Sequence, residues 1–262
     1  MLYKYISRLN KLPLELKYEL GTLVYQRGML PMSRKAEAVR ILKKYGIDFI
    51  DVGTGTNRFI VRYDGFALKI ALDTDGVADN IQEYAISDSL GSGAAIAYEL
   101  SRGGHLLVAE YCPAFSTYME MYNYRDKIIP ILRQWSQRFL LGDVGISKIN
   151  YANWGLRGVQ PKCIDYAYLF PSKLNLFQCL CGEYSMEFTD NTFTTYKCTC
   201  CGRIIDDSDL RQRVTQAERI KLFKNVAENS LELTDTELTM EIDDATIPKE
   251  YNPDAPDIFR YL

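Results

Sequence analysis

Three side chains with complementary chemistry are spread along the sequence in an order that suits the binding of a phosphorylated ligand. Lys69 lies in an apolar run over 66–71, and Asn153 and Asp165 follow in the second half of the chain. A lysine neutralises phosphate charge, while an amide oxygen and a carboxylate hold the magnesium ion that bridges the remaining phosphates. Together, the three residues indicate a site for ATP and magnesium.

The neighbouring residues predict the elements that hold these groups. Residues 49–52, 59–63 and 66–71 are strand-like, and Gly53 and Gly55 lie in the turn between the first two runs. Glycines at such a turn let the main chain approach phosphate, although Gly-x-Gly also occurs in ordinary hairpins. A helix is expected over 77–90, because apolar residues recur there at helical spacing. Glu83 of this helix is then placed to form a buried ion pair with Lys69.

These motifs resemble those of the protein-kinase-like fold, and the resemblance spans residues 47–170. Residues 52–55 resemble its glycine-rich loop, Lys69 its strand lysine and Glu83 the partner glutamate of that lysine. Asp165, followed by Tyr-Ala, resembles its metal-binding triplet. The resemblance implies that Gly53 and Gly55 pack over the nucleotide and that Asn153 and Asp165 bind magnesium.

Two further segments extend the resemblance. Residues 105–112 resemble the strand that leads into the kinase hinge, which implies that Glu110 and Cys112 contact adenine. Asn153-Trp-Gly resembles the end of the catalytic loop in kinase-like proteins encoded by bacteriophages, which often carry an inserted zinc ribbon. The resemblance therefore implies a two-lobed α+β fold in a phage-encoded protein, located in the host cytoplasm or in the phage particle. Its expected activity is phosphoryl transfer to a protein or a small molecule.

Lys148 departs from the kinase pattern, because it occupies the position at which kinases place the catalytic aspartate. A lysine cannot simply replace a carboxylate that orients the acceptor hydroxyl. Asp143, slightly upstream, is one substitute, and Lys148 itself is a candidate for contact with the transferring phosphate. Adenylyl transfer would be a different chemistry on the same fold, and a catalytically inactive pseudokinase would serve as a structural or partner-binding protein. The sequence leaves phosphotransferase and pseudokinase both open.

Cysteine placement gives a second chemical signal. Five of the seven cysteines fall in two groups: the first is Cys179 and Cys181, and the second is Cys198, Cys200 and Cys201. Cys198 and Cys201 have Cys-x-x-Cys spacing followed by glycine, a turn that directs backbone amides at the thiolates of a tetrahedral zinc site. Cys179 and Cys181 are one residue closer than in a standard knuckle. We nevertheless expect a zinc ribbon, with Cys200 as a spare. Its ligands are Cys179, Cys181, Cys198 and Cys201.

The residues between the two cysteine groups predict a β-hairpin, because apolar and polar residues alternate over 184–196 around a turn at Asp190-Asn191. A hairpin of this size buries little apolar surface, so bound metal would be its main source of order. Disulfides are the alternative. The odd number of cysteines and the absence of an apolar signal sequence argue against them. A ribbon here could contact an acceptor, the cleft or a protein partner.

Periodicity, cysteine spacing and the kinase resemblance together divide the chain into six expected regions. Helices are expected over 12–26 and 33–45, with Ser33 as an N-cap and Gly46 as a stop. Further helices are expected over 121–140 and 206–229, the second capped by Asp206 or Ser208. The regions are an N-terminal helical part (1–46), a kinase-like N-lobe (47–112), a C-lobe core (113–175), the zinc ribbon (176–204), a C-lobe helix (205–230) and an acidic tail (231–262).

Composition and charge restrict the partners. The chain has 262 residues, 47% hydrophobic content and a formal net charge of -3, which suits a cytoplasmic globular protein. No apolar run approaches the length of a bilayer span, so we expect no membrane segment. Acidic residues interleave the basic residues of 1–46, which favours solvated helix faces over a nucleic-acid surface.

Two features remain, the acidic tail and the single histidine. The acidic tail over 231–262 contains aromatic residues and prolines, so it either packs on its own C-lobe, docks a partner protein or serves as a loosely ordered solubilising segment. His105 is the single histidine and precedes a buried-looking strand. It is expected to be a turn residue, which argues against histidine-based catalysis.

Overall fold

The computed structural model describes residues 7–26, 28–172 and 178–206, together with residues 219, 221 and 223. Within them the chain is a mixed α/β protein, which confirms the expected α+β class. The described α-helices are α1 (Leu14–Thr22), α2 (Pro31–Lys44), α3 (Thr74–Leu90), α4 (Tyr118–Tyr122) and α5 (Arg125–Ser136). The described strands are β1 (Ile50–Thr54), β2 (Arg58–Tyr63), β3 (Phe66–Ala71), β4 (Ala97–Leu100), β5 (Leu106–Ala109), β6 (Phe139–Leu141), β7 (Trp154–Arg157), β8 (Gln160–Cys163), β9 (Leu169–Pro171), β10 (Met186–Phe188), β11 (Thr195–Cys198) and β12 (Ile204–Asp206).

The main sheet has five antiparallel strands in the order β1-β2-β3-β5-β4. β1, β2 and β3 form a meander, α3 crosses from β3 to β4, and β5 returns between β3 and β4. Lys69 lies on the central strand, paired with Ile60 on one side and Leu107 on the other. Because neighbouring strands fix its main chain on both sides, the position of Lys69 is set by the sheet.

Local sequence signals set both ends of α2. α2 begins at Pro31 rather than near Ser33, so the expected Ser33 cap is wrong. Proline suits the first helical position, because its fixed φ angle is helical and no N–H is lost there. α2 ends at Lys44, and Gly46 follows as the expected stop. Gly46 has φ 65° and donates to the Lys43 carbonyl, while Ile47 donates to the Leu42 carbonyl.

Two small strand pairs follow α5. β6 pairs with β9, and β7 pairs with β8 as a hairpin between them in the sequence. The expected single helix over 121–140 is therefore wrong in part: it is divided into α4 and α5, and its last residues belong to β6. Phe139 and Leu141 are buried while Leu140 between them is half-buried, an alternation that suits a strand.

Strands β10, β11 and β12 form a separate antiparallel sheet that includes the expected hairpin. β12 was not expected from the sequence. It ends at Asp206, so Asp206 is a strand residue and not the start of a helix. Beyond Asp206, the described residues of the helix expected over 206–229 are Arg219, Lys221 and Phe223, and all three are helical. The rest of that segment and the tail over 231–262 lie outside the described residues.

Two large apolar clusters support these elements. α1 and α2 cover one face of the main sheet, with Leu16, Leu20 and Leu42 packed in the same cluster as Phe59 and Val108. α3, α5 and the β6–β9 pair share the second cluster, which contains the two tryptophans. In the described part of the chain, every helix is too short or too polar to cross a bilayer.

Candidate functional site

An ion pair between Lys69 and Glu83 lies at the centre of the candidate site. Lys69 points from β3 towards α3, whose N-terminus is capped by the Asp73 side chain accepting from the Gly76 N–H at 2.8 Å. The Lys69 ammonium donates to Glu83 Oε2, and both side chains are buried. This contact was expected from the sequence. Burial removes competing water, so the pair holds the lysine in one extended conformation.

The β7–β8 hairpin brings Asn153 and Asp165 together. Asn153 directly precedes β7 and Asp165 follows β8, and the Asn153 carbonyl accepts from the main-chain N–H of Ile164 at 2.8 Å and of Asp165 at 3.3 Å. Lys69 Nζ donates to the Ile164 carbonyl at 2.6 Å. The structure therefore places Lys69, Glu83, Asn153 and Asp165 in one continuous network.

Arg58 is a member of this network that sequence reasoning missed. Its guanidinium Nη2 lies 2.8 Å from Asp165 Oδ1 and 2.9 Å from Glu83 Oε1, and the side chain is only 4% exposed. Burial disfavours its charge, but Asp165, Glu83 and Asp79 raise the pKa of Arg58 well above its ordinary value. A charged residue that opens an apolar strand gives no sequence signal of burial.

The same contacts determine the state of Asp165. Loss of water would raise its pKa, but Arg58 first and Lys69 second hold the pKa of this carboxyl well below its usual range. The side chain keeps 44% exposure in spite of its contact with Arg58. Asp165 is therefore an ionised carboxylate that is open to a ligand on one side.

Arg219 ties this network to the C-terminal part of the chain. It donates to Asp79 Oδ1 at 2.6 Å, to Gln82 Oε1 at 2.8 Å and to the Ala167 carbonyl at 3.1 Å. It is almost fully buried. These contacts fix α3, the helix of Glu83, against the segment that follows Asp165. The polar face of α3 gave no sequence signal for this partner, because the contact joins residues far apart in the chain.

Gly53 belongs to β1 and pairs with Ile60, so its expected place in the turn is wrong, whereas Gly55 lies in the β1–β2 turn, as expected. The Gly55 N–H donates to the Arg58 carbonyl at 2.9 Å and closes the turn. A Cβ atom at Gly53 would meet no atom within 4 Å, and one at Gly55 would meet only the Arg58 carbonyl, at 3.8 Å. Neither glycine has a positive φ angle. The folded chain therefore does not itself require glycine at either position.

Glu110 and Cys112 follow β5 but use their side chains within the protein. The buried Glu110 carboxylate binds Arg157 and lies 3.7 Å from Lys162 Nζ. Burial raises the pKa of the Cys112 thiol to about 11, so this cysteine is a neutral, unreactive group. The main-chain N–H of Cys112 has no hydrogen-bond acceptor in the described part of the chain.

Asp143 and Lys148 differ in their relation to the network. Asn153 Nδ2 donates to the Asp143 main-chain carbonyl at 2.7 Å, and Asp143 adopts φ 61°, a conformation that is uncommon for a residue with a side chain. Lys148 is exposed on the segment between them. The structure therefore joins Asp143, rather than Lys148, to the residues around Asp165.

Four cysteines of the small sheet form a separate cluster. Their Sγ atoms all lie within 4.8 Å of one another, and they are the four residues expected as ligands: Cys179, Cys181, Cys198 and Cys201. The Cys179–Cys201 and Cys181–Cys198 sulfur distances are both 3.6 Å. A disulfide requires about 2.05 Å. A tetrahedron with metal–sulfur bonds of about 2.3 Å has edges of about 3.8 Å, which is close to these two distances.

The electrostatics of the cluster also suit a cation. The backbone N–H groups of Cys201 and Cys200 lower the pKa of the Cys198 thiol to about 7. The Arg203 N–H has the same effect on Cys201, but the surrounding thiols outweigh it and raise the pKa of Cys201 to about 12. Four thiolates at this distance repel one another unless a cation neutralises them. Cys200 is exposed and outside the cluster.

No protein-family model matches the chain. No curated protein matches it either. The Lys69 network and the cysteine cluster are therefore the features that bear on function.

Proposed function

We propose that this protein is a divergent kinase-like protein that binds ATP with magnesium. The observation that carries the proposal is the buried Lys69–Glu83 ion pair beside Asp165. The three residues occupy the elements that the kinase resemblance implies: the third strand, the helix that follows it and the residue after a hairpin. The order β1-β2-β3-β5-β4 supports this assignment, because it sets Lys69 on the central strand against α3.

The proposed nucleotide site has three parts. Lys69, held by Glu83, contacts the phosphates. Gly53 and Gly55 lie over them, and the open space at both Cβ positions supports a role in ligand approach rather than in folding. The segment from Glu110 to Cys112 contacts adenine through its main chain, where the Cys112 N–H, without an acceptor among the described residues, can donate.

Asn153 and Asp165 supply hard oxygen donors that suit magnesium. The Asn153 amide nitrogen is bound to the Asp143 carbonyl, which leaves its amide oxygen as the atom that can ligate. Asp165 is ionised and partly exposed. Bound magnesium would neutralise the nucleotide phosphates, and these two residues would hold it.

Asp143 is the proposed group that orients an acceptor hydroxyl. Its carbonyl contact with Asn153 places it beside the proposed metal ligands, whereas Lys148 is exposed. Loop geometry therefore supports the substitute carboxylate over a role for Lys148. A binding protein without chemistry is the second candidate, because Arg58 already occupies one oxygen of Asp165.

Calorimetric titration with ATP, with and without magnesium, tests nucleotide binding. We expect binding to the wild-type chain and at least tenfold weaker binding, about 1.4 kcal/mol, to Lys69→Met. Lys127→Met is the matched control, since Lys127 is an exposed lysine away from this network. Circular dichroism checks that the variants fold. The absence of ATP binding in the folded wild-type protein would contradict the proposal.

Turnover separates the two candidate functions. If the protein transfers phosphate, Asp143→Asn abolishes transfer to protein or water while Lys148→Ala retains it. ATP consumption and incorporation of labelled phosphate are the measurements. A wild-type protein that binds ATP but shows no turnover is a pseudokinase with a binding role.

The four-cysteine cluster is the proposed zinc site, and zinc there would hold the small sheet together. The observation that carries this proposal is that the four sulfur atoms all lie within 4.8 Å of one another, with two pairs at 3.6 Å. Native mass spectrometry should find one zinc ion per chain. Cys198→Ser should lose it, whereas Cys200→Ser should keep it because Cys200 lies outside the cluster. A folded wild-type chain without zinc would refute this assignment.

A further inference from the structure

Arg58 is fixed against the carboxylate that the proposed function assigns to a metal. It opens β2, and its guanidinium enters the space between α3 and the residues after β8. Besides Glu83 and Asp165, it approaches Asp79 Oδ2 at 3.8 Å and the Asn80 amide oxygen at 3.4 Å. Acceptors surround the guanidinium, so its position is set by the fold and not by a flexible surface rotamer.

Among the described residues, the charges of this network balance without a metal ion. Its cations are Arg58, Lys69 and Arg219, and its carboxylates are Asp79, Glu83 and Asp165. Arg219 forms an ion pair with Asp79, and Lys69 forms one with Glu83. Arg58 is thus the cation that remains to neutralise Asp165, in addition to its contact with Glu83. A divalent site normally presents an excess of negative charge, and here Arg58 cancels that excess.

We propose that Arg58 is a resident counter-ion of Asp165 that competes with a divalent cation for this carboxylate. This inference rests on the proposed function, because it concerns the same metal ligands. Arg58 occupies Oδ1, leaves one oxygen of Asp165 for the ion and repels it by charge. Metal binding to the protein alone is therefore weak, and the phosphates of a bound nucleotide supply the missing negative charge.

Titration of the nucleotide-free, zinc-loaded protein with Mn²⁺ tests the competition, with electron paramagnetic resonance as the readout of bound ion. We expect weak Mn²⁺ binding to wild type and at least about tenfold tighter binding to Arg58→Met. The substitution removes a positive charge that repels the cation from within a few ångströms. The double variant Arg58→Met/Asp165→Asn should lose this gain in Mn²⁺ affinity. Arg58→Lys, which keeps the charge, should stay close to wild type.

One result can overturn the inference without any Arg58 variant. Tight Mn²⁺ binding to wild type that is lost in Asp165→Asn would show that Arg58 does not compete, and this result does not depend on the folding of an Arg58 variant. Equal Mn²⁺ affinity in wild type and in folded Arg58→Met would overturn it as well. The nucleotide proposal fails separately: a wild type without ATP binding, together with an Asp165-dependent gain in Arg58→Met, refutes ATP binding and supports the competition.

Discussion

At the scale of single residues, the centre of the molecule depends on pairing between buried charges. Glu83 is fully buried and accepts from both Lys69 and Arg58. A buried carboxylate that loses its cations is strongly destabilising, whereas the intact pair adds little net stability. This asymmetry argues that the charges serve positioning or binding, since apolar residues would fill the same volume at lower cost.

His105 should make the stability of the protein depend on pH. Burial lowers its pKa below 6.5, against a weaker opposing bond to the Arg102 backbone, and Tyr25 Oη lies 3.2 Å from its Nε2. The unfolded chain then binds a proton more readily below pH 6.5, so stability is full above that pH and falls as pH decreases. The slope is at most about 1.4 kcal/mol per pH unit.

Denaturant unfolding between pH 5.5 and 7.5 measures this effect in the metal-loaded protein. His105→Gln should flatten the profile, because His105 is the single histidine. Tyr25→Phe should retain the slope, since burial of the imidazole is the main cause of the lowered pKa. Parallel profiles for wild type and His105→Gln would contradict the prediction.

At the scale of elements, the start of α3 and the β1–β2 turn fit together closely. A Cβ atom at Gly76 would lie 2.3 Å from the Asn57 carbonyl oxygen, which accepts from the Leu72 N–H at 2.8 Å. Main-chain atoms cannot move aside as a flexible side chain can. Gly76, in the first turn of α3, is therefore required by packing, unlike Gly53 near the end of β1.

A pair of substitutions separates these two uses of glycine. Gly76→Ala should lower the free energy of unfolding by about 1–3 kcal/mol through steric overlap. Gly53→Ala should change it by less than about 0.5 kcal/mol, because its Cβ meets open space. If Gly53 lies over the phosphates of a bound nucleotide, Gly53→Ala should nevertheless weaken ATP binding. Thermal unfolding and calorimetry measure the two effects, and a large loss of stability in Gly53→Ala would refute the distinction.

The elements also show what the sequence could predict. Lys69 and Glu83 were assigned to a strand and a helix because apolar periodicity around them is strong, and the four clustered cysteines were found from their spacing. Arg58 and Arg219 were missed because their burial arises only when α3, β2 and distant segments pack together. Strand β6 was mistaken for helix because its partner, β9, lies far along the chain.

At the scale of the whole molecule, the small sheet of β10, β11 and β12 is attached to β6, the strand that leads to Asp143. Tyr196 Oη donates to the Leu141 carbonyl at 2.7 Å and accepts from the Leu141 N–H at 2.5 Å. The Ile146 N–H donates to the Thr192 carbonyl at 2.7 Å. These contacts lie on either side of Asp143. Order in the small sheet is thus transmitted to the loop that carries the proposed acceptor-orienting carboxylate.

Removal of the proposed zinc ion should therefore loosen more than the sheet of β10, β11 and β12. Hydrogen exchange of the chelated protein should be faster within 179–206 and also at the Leu141 and Ile146 amides, whereas Lys69 in the main sheet serves as the unaffected control. In the metal-loaded protein, Tyr196→Phe should speed exchange at Leu141 by about fivefold, since one hydrogen bond contributes about 1 kcal/mol. If chelation changes exchange only within 179–206, the small sheet is an independent unit and its metal does not position Asp143. Faster exchange on both sides of Asp143 would instead mean that zinc in one part of the chain sets the geometry of a residue in another.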